Sequence, residues 1–105
     1  MAGKAPEITM EQRMAALRRA EEVKAERKAL LERVRGGETG AEEAMASEVA
    51  RRMRLRTLLL AVPGIGPVYA DRIMGEARVA GGRRVGGLGI RQRAVVLELV
   101  KRYGL

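Results

Sequence analysis

Apolar residues recur every three or four positions along most of this chain, the spacing that places side chains on one face of a helix. The sequence shows no strand-like alternation of apolar and polar residues, no internal repeat and no low-complexity segment. This pattern predicts an all-α fold, in which a long N-terminal helix precedes a compact set of shorter helices. The predicted helices cover about residues 10–35, 40–53, 55–61, 67–77 and 90–102.

The long N-terminal helix has recognisable ends. Thr9 followed by Gln12 spells a capping box, so the helix should begin at the next residue after Thr9, and a Gly-Gly pair after residue 35 is a typical stop. Residues 1–8 lack periodicity and are expected to be loose. We therefore divide the chain into an N-terminal extension with the long helix, residues 1–38, and a second unit, residues 39–105.

The apolar stripe of the first helix is thin, and its middle, residues 21–28, is charged on most faces. We expect a solvated helix that packs only near its C-terminal end. The alternative is an arm that lies along a nucleic-acid backbone. The residues that would make such a contact are Arg18, Arg19, Lys24, Arg27 and Lys28.

The helix predicted over residues 40–53 is acidic at its start and basic at its end, an order that suits the helix dipole. Thr39 and Glu42 spell a second capping box in front of it. Its basic end runs into an arginine-rich stretch that precedes the next helix. This stretch holds Arg51, Arg52, Arg54 and Arg56.

The second unit contains candidates for a small core. Leu55, Leu58 and Leu59 follow helical spacing, and Val68 with Ile73 continues the pattern after a break. Because the chain has no Phe or Trp and only two Tyr, this core must be aliphatic and modest in size. The last helix is expected to bury Ile90, Ala94, Leu97 and Val100.

Glycine and proline punctuate the stretch between two of these helices. Pro63 and Gly64 end one helix, and Pro67 suits the first position of the next, where its missing N–H costs nothing. The free N–H groups of Gly64, Ile65 and Gly66 are expected to point outward ahead of a helix N-terminus, an arrangement that binds phosphate. The same turn can also join two helices without any ligand, and Pro67 removes one donor.

The spelling Pro-Gly-Ile-Gly-x-x-x-Ala in this stretch resembles the helix-hairpin-helix family, whose hairpins contact nucleic-acid backbones. This resemblance implies that the second unit contains a compact helix-hairpin-helix. A Gly-rich segment over residues 78–89 follows, with apolar residues spaced to touch a core. Two consecutive tight turns fit this segment, and they would hold Arg83 and Arg84 outward.

Arg91 and Arg93 lie in the first turn of the last predicted helix, where positive charge opposes the helix dipole unless an anion is bound. They therefore define a second candidate phosphate site. The alternative is that both are ordinary solvated arginines, which are common on protein surfaces.

The charge of the chain favours a polyanionic partner. The formal net charge is +8, from 21 basic and 13 acidic residues. Residues 51–105 hold 12 basic and 3 acidic side chains, a net charge of +9, and eleven of the twelve are arginines. Arginine suits bidentate contact with phosphate better than lysine does.

The sequence also excludes several classes of chemistry. There is no cysteine and no histidine, so disulfides, Cys/His zinc sites and His-dependent nucleophilic catalysis are excluded. No apolar run is long enough to span a bilayer, and no apolar signal region precedes the first helix. We expect a cytoplasmic protein with no metal and no cofactor.

The order of these features resembles the actinobacterial-type integration host factor family, which are small basic nucleoid proteins. The likeness extends over most of the chain, and its most specific part is the spelling Arg-Arg-x-x-Gly-Leu-Gly over residues 83–89. The motifs that carry it are Thr9-Met10-Glu11-Gln12-Arg13, Met53-Arg54-Leu55, Pro63-Gly64-Ile65-Gly66, Arg83-Arg84-Val85, Gly87-Leu88-Gly89 and Gln92-Arg93.

This resemblance implies a helix–two-turns–helix DNA-binding domain with a protruding N-terminal helix. It further implies a monomeric protein of the nucleoid that binds double-stranded DNA with little sequence preference, bends or compacts it, and supports site-specific recombination. It implies no membrane and no small-molecule substrate as partners. Gly86 and Pro67 stand where relatives commonly have Arg and Lys, which would either weaken binding or shift it toward the arginines before the hairpin. The hairpin amides are expected to lie on one common surface with Arg83 and Arg84, and the resemblance implies that Arg91 and Arg93 flank these amides. The DNA-binding residues predicted in total are Gly64, Ile65, Gly66, Arg83, Arg84, Arg91, Arg93, Arg54 and Arg56.

Two other functions use related hairpins. A ribosomal or other RNA-binding protein is the first, although no long basic tail follows Tyr103. A DNA glycosylase or lyase is the second, but its nucleophilic lysine is hard to place, because Lys101 is the only lysine after residue 28. We therefore expect no enzymatic activity. Binding of single strands is disfavoured because stacking on bases needs aromatic residues.

Overall fold

The computed structural model describes residues 8–105, and all of its regular secondary structure is helical apart from one isolated β-bridge. The predicted all-α class, with a long N-terminal helix before a compact domain, is confirmed. The expectation of a loose start lies outside the described residues except at Ile8. The helices are α1 (Met10–Arg35), α2 (Ala41–Ala46), α3 (Leu55–Ala61), α4 (Pro67–Glu76) and α5 (Ile90–Tyr103), with 3₁₀ turns at Val49–Arg52 and Val85–Gly87.

The predicted capping box at the start of α1 is present. The Gln12 amide donates to Thr9 Oγ1 (3.1 Å), and the Thr9 amide donates to Gln12 Oε1 (3.0 Å). Residues 8–26 are exposed throughout, whereas Leu30 and Val34 are each only 1% exposed. Helix α1 therefore packs through its last turns and projects from the rest of the molecule, so that the whole structure is 59 Å long.

The core lies among the last turns of α1 and helices α2 to α5. Leu55, Leu58 and Leu59 are buried as predicted, and Ile73 joins them from α4. Val68 does not, since it is 72% exposed in the first turn of α4. The α4 side chains that face the core are Ala70, Ile73 and Met74.

The prediction of one helix over residues 40–53 is wrong beyond Ala46. The Ser47 hydroxyl donates to the Ala44 carbonyl (2.7 Å) and accepts from the Ala50 amide (3.2 Å). This local side-chain bonding competes with helical hydrogen bonds, so the chain turns and continues as a 3₁₀ turn. The second capping box is also wrong, because α2 has Gly40 as its N-cap and no side chain caps it.

The buried face of α5 differs from the predicted one. Ile90 is 93% exposed and Ala94 is exposed. The Gln92 side chain fixes the rotation of the helix, because its Nε2 donates to the Arg78 carbonyl (2.9 Å) and its Oε1 accepts from the Gly89 amide (2.9 Å). The side chains that face the core are Val96, Leu99 and Val100, with Leu97 half-buried.

Candidate nucleic-acid interface

A short β-bridge joins two arginine-bearing segments that are distant in the sequence. Residues 53–55, which lead into α3, pair antiparallel with residues 83–85. Backbone hydrogen bonds of 3.0 and 2.9 Å close the bridge on its two sides. As a result Arg54 lies directly opposite Arg84, and Arg83 precedes Arg84 in the same segment.

The two 3₁₀ turns bring further arginines to the same place. The Arg84 guanidinium donates to the Arg52 carbonyl. A Cβ atom added at Gly86 would lie 2.5 Å from Arg51 Cγ and 2.9 Å from the Arg51 carbonyl oxygen, so only glycine permits this approach. The arginine that the resemblance implies for relatives at this position does not fit here unless Arg51 moves. We call the resulting set the arginine cluster: Arg51, Arg52, Arg54, Arg83 and Arg84, all exposed.

The arginine cluster keeps most of its positive charge. Within residues 8–105, its one carboxylate partner closer than 4 Å is Glu48, at 3.6 Å from Arg51, and both side chains are largely exposed. Exposed ion pairs of this kind are weak. Arg83 makes only a long contact with the Gly87 carbonyl (3.4 Å), which leaves its guanidinium available to a ligand.

Arg56 lies outside the arginine cluster. Its Nε donates to Asp71 Oδ1 at 3.0 Å, which ties α3 to α4. The sequence predicted Arg56 as a nucleic-acid contact. The structure instead pairs the two charges, so Arg56 brings less positive charge to the surface than its neighbours do.

The turn between α3 and α4 supports only part of the predicted amide site. Gly64 (φ +88°) and Gly66 are exposed, and their amides have no acceptor among the described residues. The Ile65 amide, however, donates to the Val62 carbonyl (3.1 Å), and the Ile65 side chain is buried. The prediction of a free Ile65 amide is therefore wrong, because this N–H closes the turn.

Two further amides at this corner were missed from the sequence. The backbone amides of Val68 and Tyr69, in the first turn of α4, have no acceptor within residues 8–105. The reason is that Gly66 is the N-cap and has no side chain to cap them. General helix geometry could have indicated them, since the first N–H groups of any helix lack internal partners.

We call the turn between α3 and α4, residues 62–66, the hairpin corner. This corner and the arginine cluster lie at opposite ends of α3. The β-bridge adjoins the start of this helix and Gly64 follows its end. Seven residues rise about 10 Å along a helix axis. The predicted single patch of glycine amides and arginines is therefore two patches, separated by the length of α3.

Arg91 and Arg93 do not flank the hairpin amides, contrary to what the resemblance implies. The Leu105 amide donates to the Pro63 carbonyl (3.0 Å), so the C-terminal end of α5 meets the hairpin. Arg91 and Arg93 lie at the other end of this 14-residue helix, about 20 Å along its axis. Arg93 also donates to the Met45 carbonyl (3.2 Å), which docks α5 onto α2.

The two tyrosines contact each other. The rings of Tyr69 and Tyr103 stack with centroids 4.8 Å apart and planes inclined by 14°, and the Arg72 guanidinium lies 6.0 Å from the centre of the Tyr103 ring. These faces are engaged within the protein, joining α4 to α5. They do not form a free platform for unpaired bases.

Comparison with known proteins first defines the class. Residues 38–103 match the S13-like H2TH domain family. Over 97 residues the chain is 40% identical to an integration host factor of Mycobacterium tuberculosis (strain ATCC 25618 / H37Rv), covering 89% of this chain and 92% of that protein. It is 34% identical over 103 residues to an integration host factor of Streptomyces coelicolor (strain ATCC BAA-471 / A3(2) / M145), covering 94% of both.

The chain therefore belongs to the integration host factor family, as the sequence motifs predicted. A solved structure supports the same grouping. It is that of sIHF bound to an 8 bp palindromic DNA, which superposes with a TM-score of 0.66 at 26% identity, over 83% of this chain and 99% of that one. Among residues 8–105, no helix has both the length and the apolar character that crossing a membrane requires.

Proposed function

We propose that this protein binds double-stranded DNA through the phosphate backbone, with little sequence preference. The observation that carries the proposal is the arginine cluster, in which a β-bridge gathers five exposed arginines beside a single weakly paired carboxylate. Arginine guanidinium groups match phosphate geometry. The similarity to a solved family member that is bound to DNA supports the choice of partner.

The exposed amides of Gly64 and Gly66 provide a second point of contact. They lie about 10 Å from the arginine cluster along α3, far enough to contact a different phosphate. Backbone contacts of this type position a protein on a duplex but carry no sequence information by themselves. Two separated points fix the orientation of the domain on DNA better than one.

Ile90 is the side chain that we assign to bending of the duplex. It is 93% exposed at the first position of α5, between Gly89 and the exposed Arg91. Apolar side chains inserted between base pairs unstack and kink DNA. The neighbouring glycines leave room for the duplex to approach.

The domain division and the cellular role extend this proposal. Residues 39–105 form the DNA-binding unit, with the long helix as an extension of it. Bending without sequence preference would compact DNA in the cytoplasmic nucleoid and would bring recombination sites together. The protein acts as a monomer and has no enzymatic activity; an abasic-site nicking assay that yields product would overturn that last point.

The experiment that tests DNA binding is a titration of labelled duplex at several salt concentrations. Wild type should lose affinity with a log–log slope of about −0.9 per neutralised phosphate. Arg83→Ala/Arg84→Ala should bind more weakly and with a shallower slope, while its helical content stays the same. Equal affinity would remove both residues from the interface, and tighter binding to structured RNA than to duplex DNA would favour an RNA-binding function.

A further inference from the structure

A basic notch lies between the middle of α1 and the start of the adjoining 3₁₀ turn. Four arginines and two glutamates line it, together with one valine from each side. The positive charges outnumber the negative ones, and Glu48 already lies near Arg51. The lining residues are Arg19, Val23, Glu26 and Arg27 from α1, and Glu48, Val49, Arg51 and Arg52 from the segment around the turn.

Arg27 is the central residue of this notch. It is half-buried, and its Nε is shielded from solvent without any hydrogen-bond acceptor among the described residues. Arg27 also has no carboxylate within 4 Å among residues 8–105, so its guanidinium charge gains from an acceptor oxygen in the notch. Phosphate provides such oxygens together with the negative charge that the notch attracts.

The notch is continuous with the arginine cluster. Arg51 and Arg52 belong to both, because they line the notch on one side and meet Arg84 and Gly86 on the other. The wall formed by α1 is exposed along residues 8–26. The α1 residues that line the notch span positions 19–27, about 12 Å along the helix axis, so this wall is longer than a single phosphate and suits a stretch of backbone.

We propose that the notch holds a second stretch of the sugar-phosphate backbone of the same duplex, so that α1 forms one wall of the DNA interface. The inference rests on the proposed DNA binding. Arg19 and Arg27 supply the α1 contacts, and Arg51 and Arg52 link them to the arginine cluster. Glu26 sets a limit on the affinity, because its carboxylate faces the same notch.

The test compares two variants that remove the same charge from α1. Arg19→Gln/Arg27→Gln alters the notch. Arg33→Gln/Arg35→Gln alters exposed residues of α1 that lie outside it. Binding to a duplex of about 30 base pairs is measured between about 50 and 200 mM salt.

We expect the notch variant to bind about tenfold more weakly, as fits the loss of charge-assisted contacts, with a slope shallower by about 1.8 for two phosphates. Hydroxyl-radical footprinting should show lost protection on one side of the site. The control variant should stay close to wild type. Equal losses in the two variants would mean a general effect of charge, and no loss in either would place α1 off the DNA; both results overturn the inference.

Two single substitutions extend the test. Arg19→Gln alone affects an exposed residue, so it reports on the notch even where loss of Arg27 disturbs packing. Glu26→Gln should strengthen binding, and weaker binding would contradict a phosphate in the notch. If Arg83→Ala/Arg84→Ala lowers the affinity for DNA and the notch variant does not, this inference alone is wrong. If neither variant changes the affinity, the proposed function is wrong as well.

Discussion

The guanidinium of Arg84 donates a hydrogen bond to the backbone carbonyl of Arg52, 32 residues earlier in the chain. This contact gives Arg84 a structural task that the adjacent Arg83 lacks. Arg83 makes only a 3.4 Å contact with the Gly87 carbonyl, within its own turn. The two neighbouring arginines should therefore respond differently to substitution.

Arg84→Ala should lower the free energy of unfolding by about 0.5–1.5 kcal/mol, the usual worth of one hydrogen bond. Arg83→Ala should change it by less than about 0.5 kcal/mol, as expected for an exposed side chain. Urea unfolding followed by far-UV circular dichroism measures both. Equal stability of the two variants would show that the long-range contact contributes nothing.

Gly86→Ala should destabilise the protein by about 1–3 kcal/mol, the typical cost of overpacking. The added methyl would meet Arg51 Cγ and the Arg51 carbonyl, forcing the two 3₁₀ turns apart. Gly82→Ala is the control, because nothing lies within 4 Å of its added Cβ. Thermal unfolding of the two variants gives the comparison, and a Gly86→Ala protein as stable as wild type would mean that the turns separate freely.

The two exposed glycines of the hairpin corner should also differ. At Gly64, φ is +88° and an added Cβ would lie 2.8 Å from the Leu105 amide nitrogen, so Gly64→Ala should cost about 1–3 kcal/mol in stability. Gly66→Ala should leave stability within about 0.5 kcal/mol, because φ is −96° and its surroundings are open. It should nevertheless weaken DNA binding, since the methyl covers a proposed contact.

Chemical denaturation and a binding titration on the same samples separate these effects. Unchanged affinity in Gly66→Ala would remove the hairpin corner from the proposed interface.

Ile90→Ala should reduce the bend in bound DNA without lowering stability, because the side chain is almost fully exposed. Resonance energy transfer between labels at the two ends of a duplex reports the bend. Val68→Ala removes another exposed aliphatic side chain, on α4, and should leave the transfer unchanged. A bend equal to that of wild type in Ile90→Ala would exclude Ile90 as the wedge.

Local signals in the sequence were sufficient for most of the architecture. The Thr9–Gln12 capping box and the buried Leu55–Leu58–Leu59 set were both predictable, because each depends on neighbours within one helical turn. The end of α2 before Ser47 was not predicted. A serine in a helical pattern can either continue the helix or bond locally to the backbone, and the sequence does not show which choice it takes. That choice is decided by how the following turn packs.

Features set by long-range contacts were harder to predict. The aliphatic residues of α5 offer two possible faces, and the contact of Gln92 with Arg78 selects the one opposite Ile90. The gathering of Arg51 and Arg52 with Arg84 likewise depends on a bridge between distant segments. Periodicity carries no information about such pairings.

Helix α1 extends well beyond the core that anchors it. Residues 10–26, its first four turns and more, all remain exposed, so their helicity depends largely on propagation from the anchored end and on the Thr9 cap. Amide hydrogens there should exchange with solvent sooner than those near Leu30, and independently of global unfolding. The N-terminal part of α1 can thus fray and reform while residues 39–105 stay folded. Its position can therefore adjust to any surface that residues 39–105 already contact.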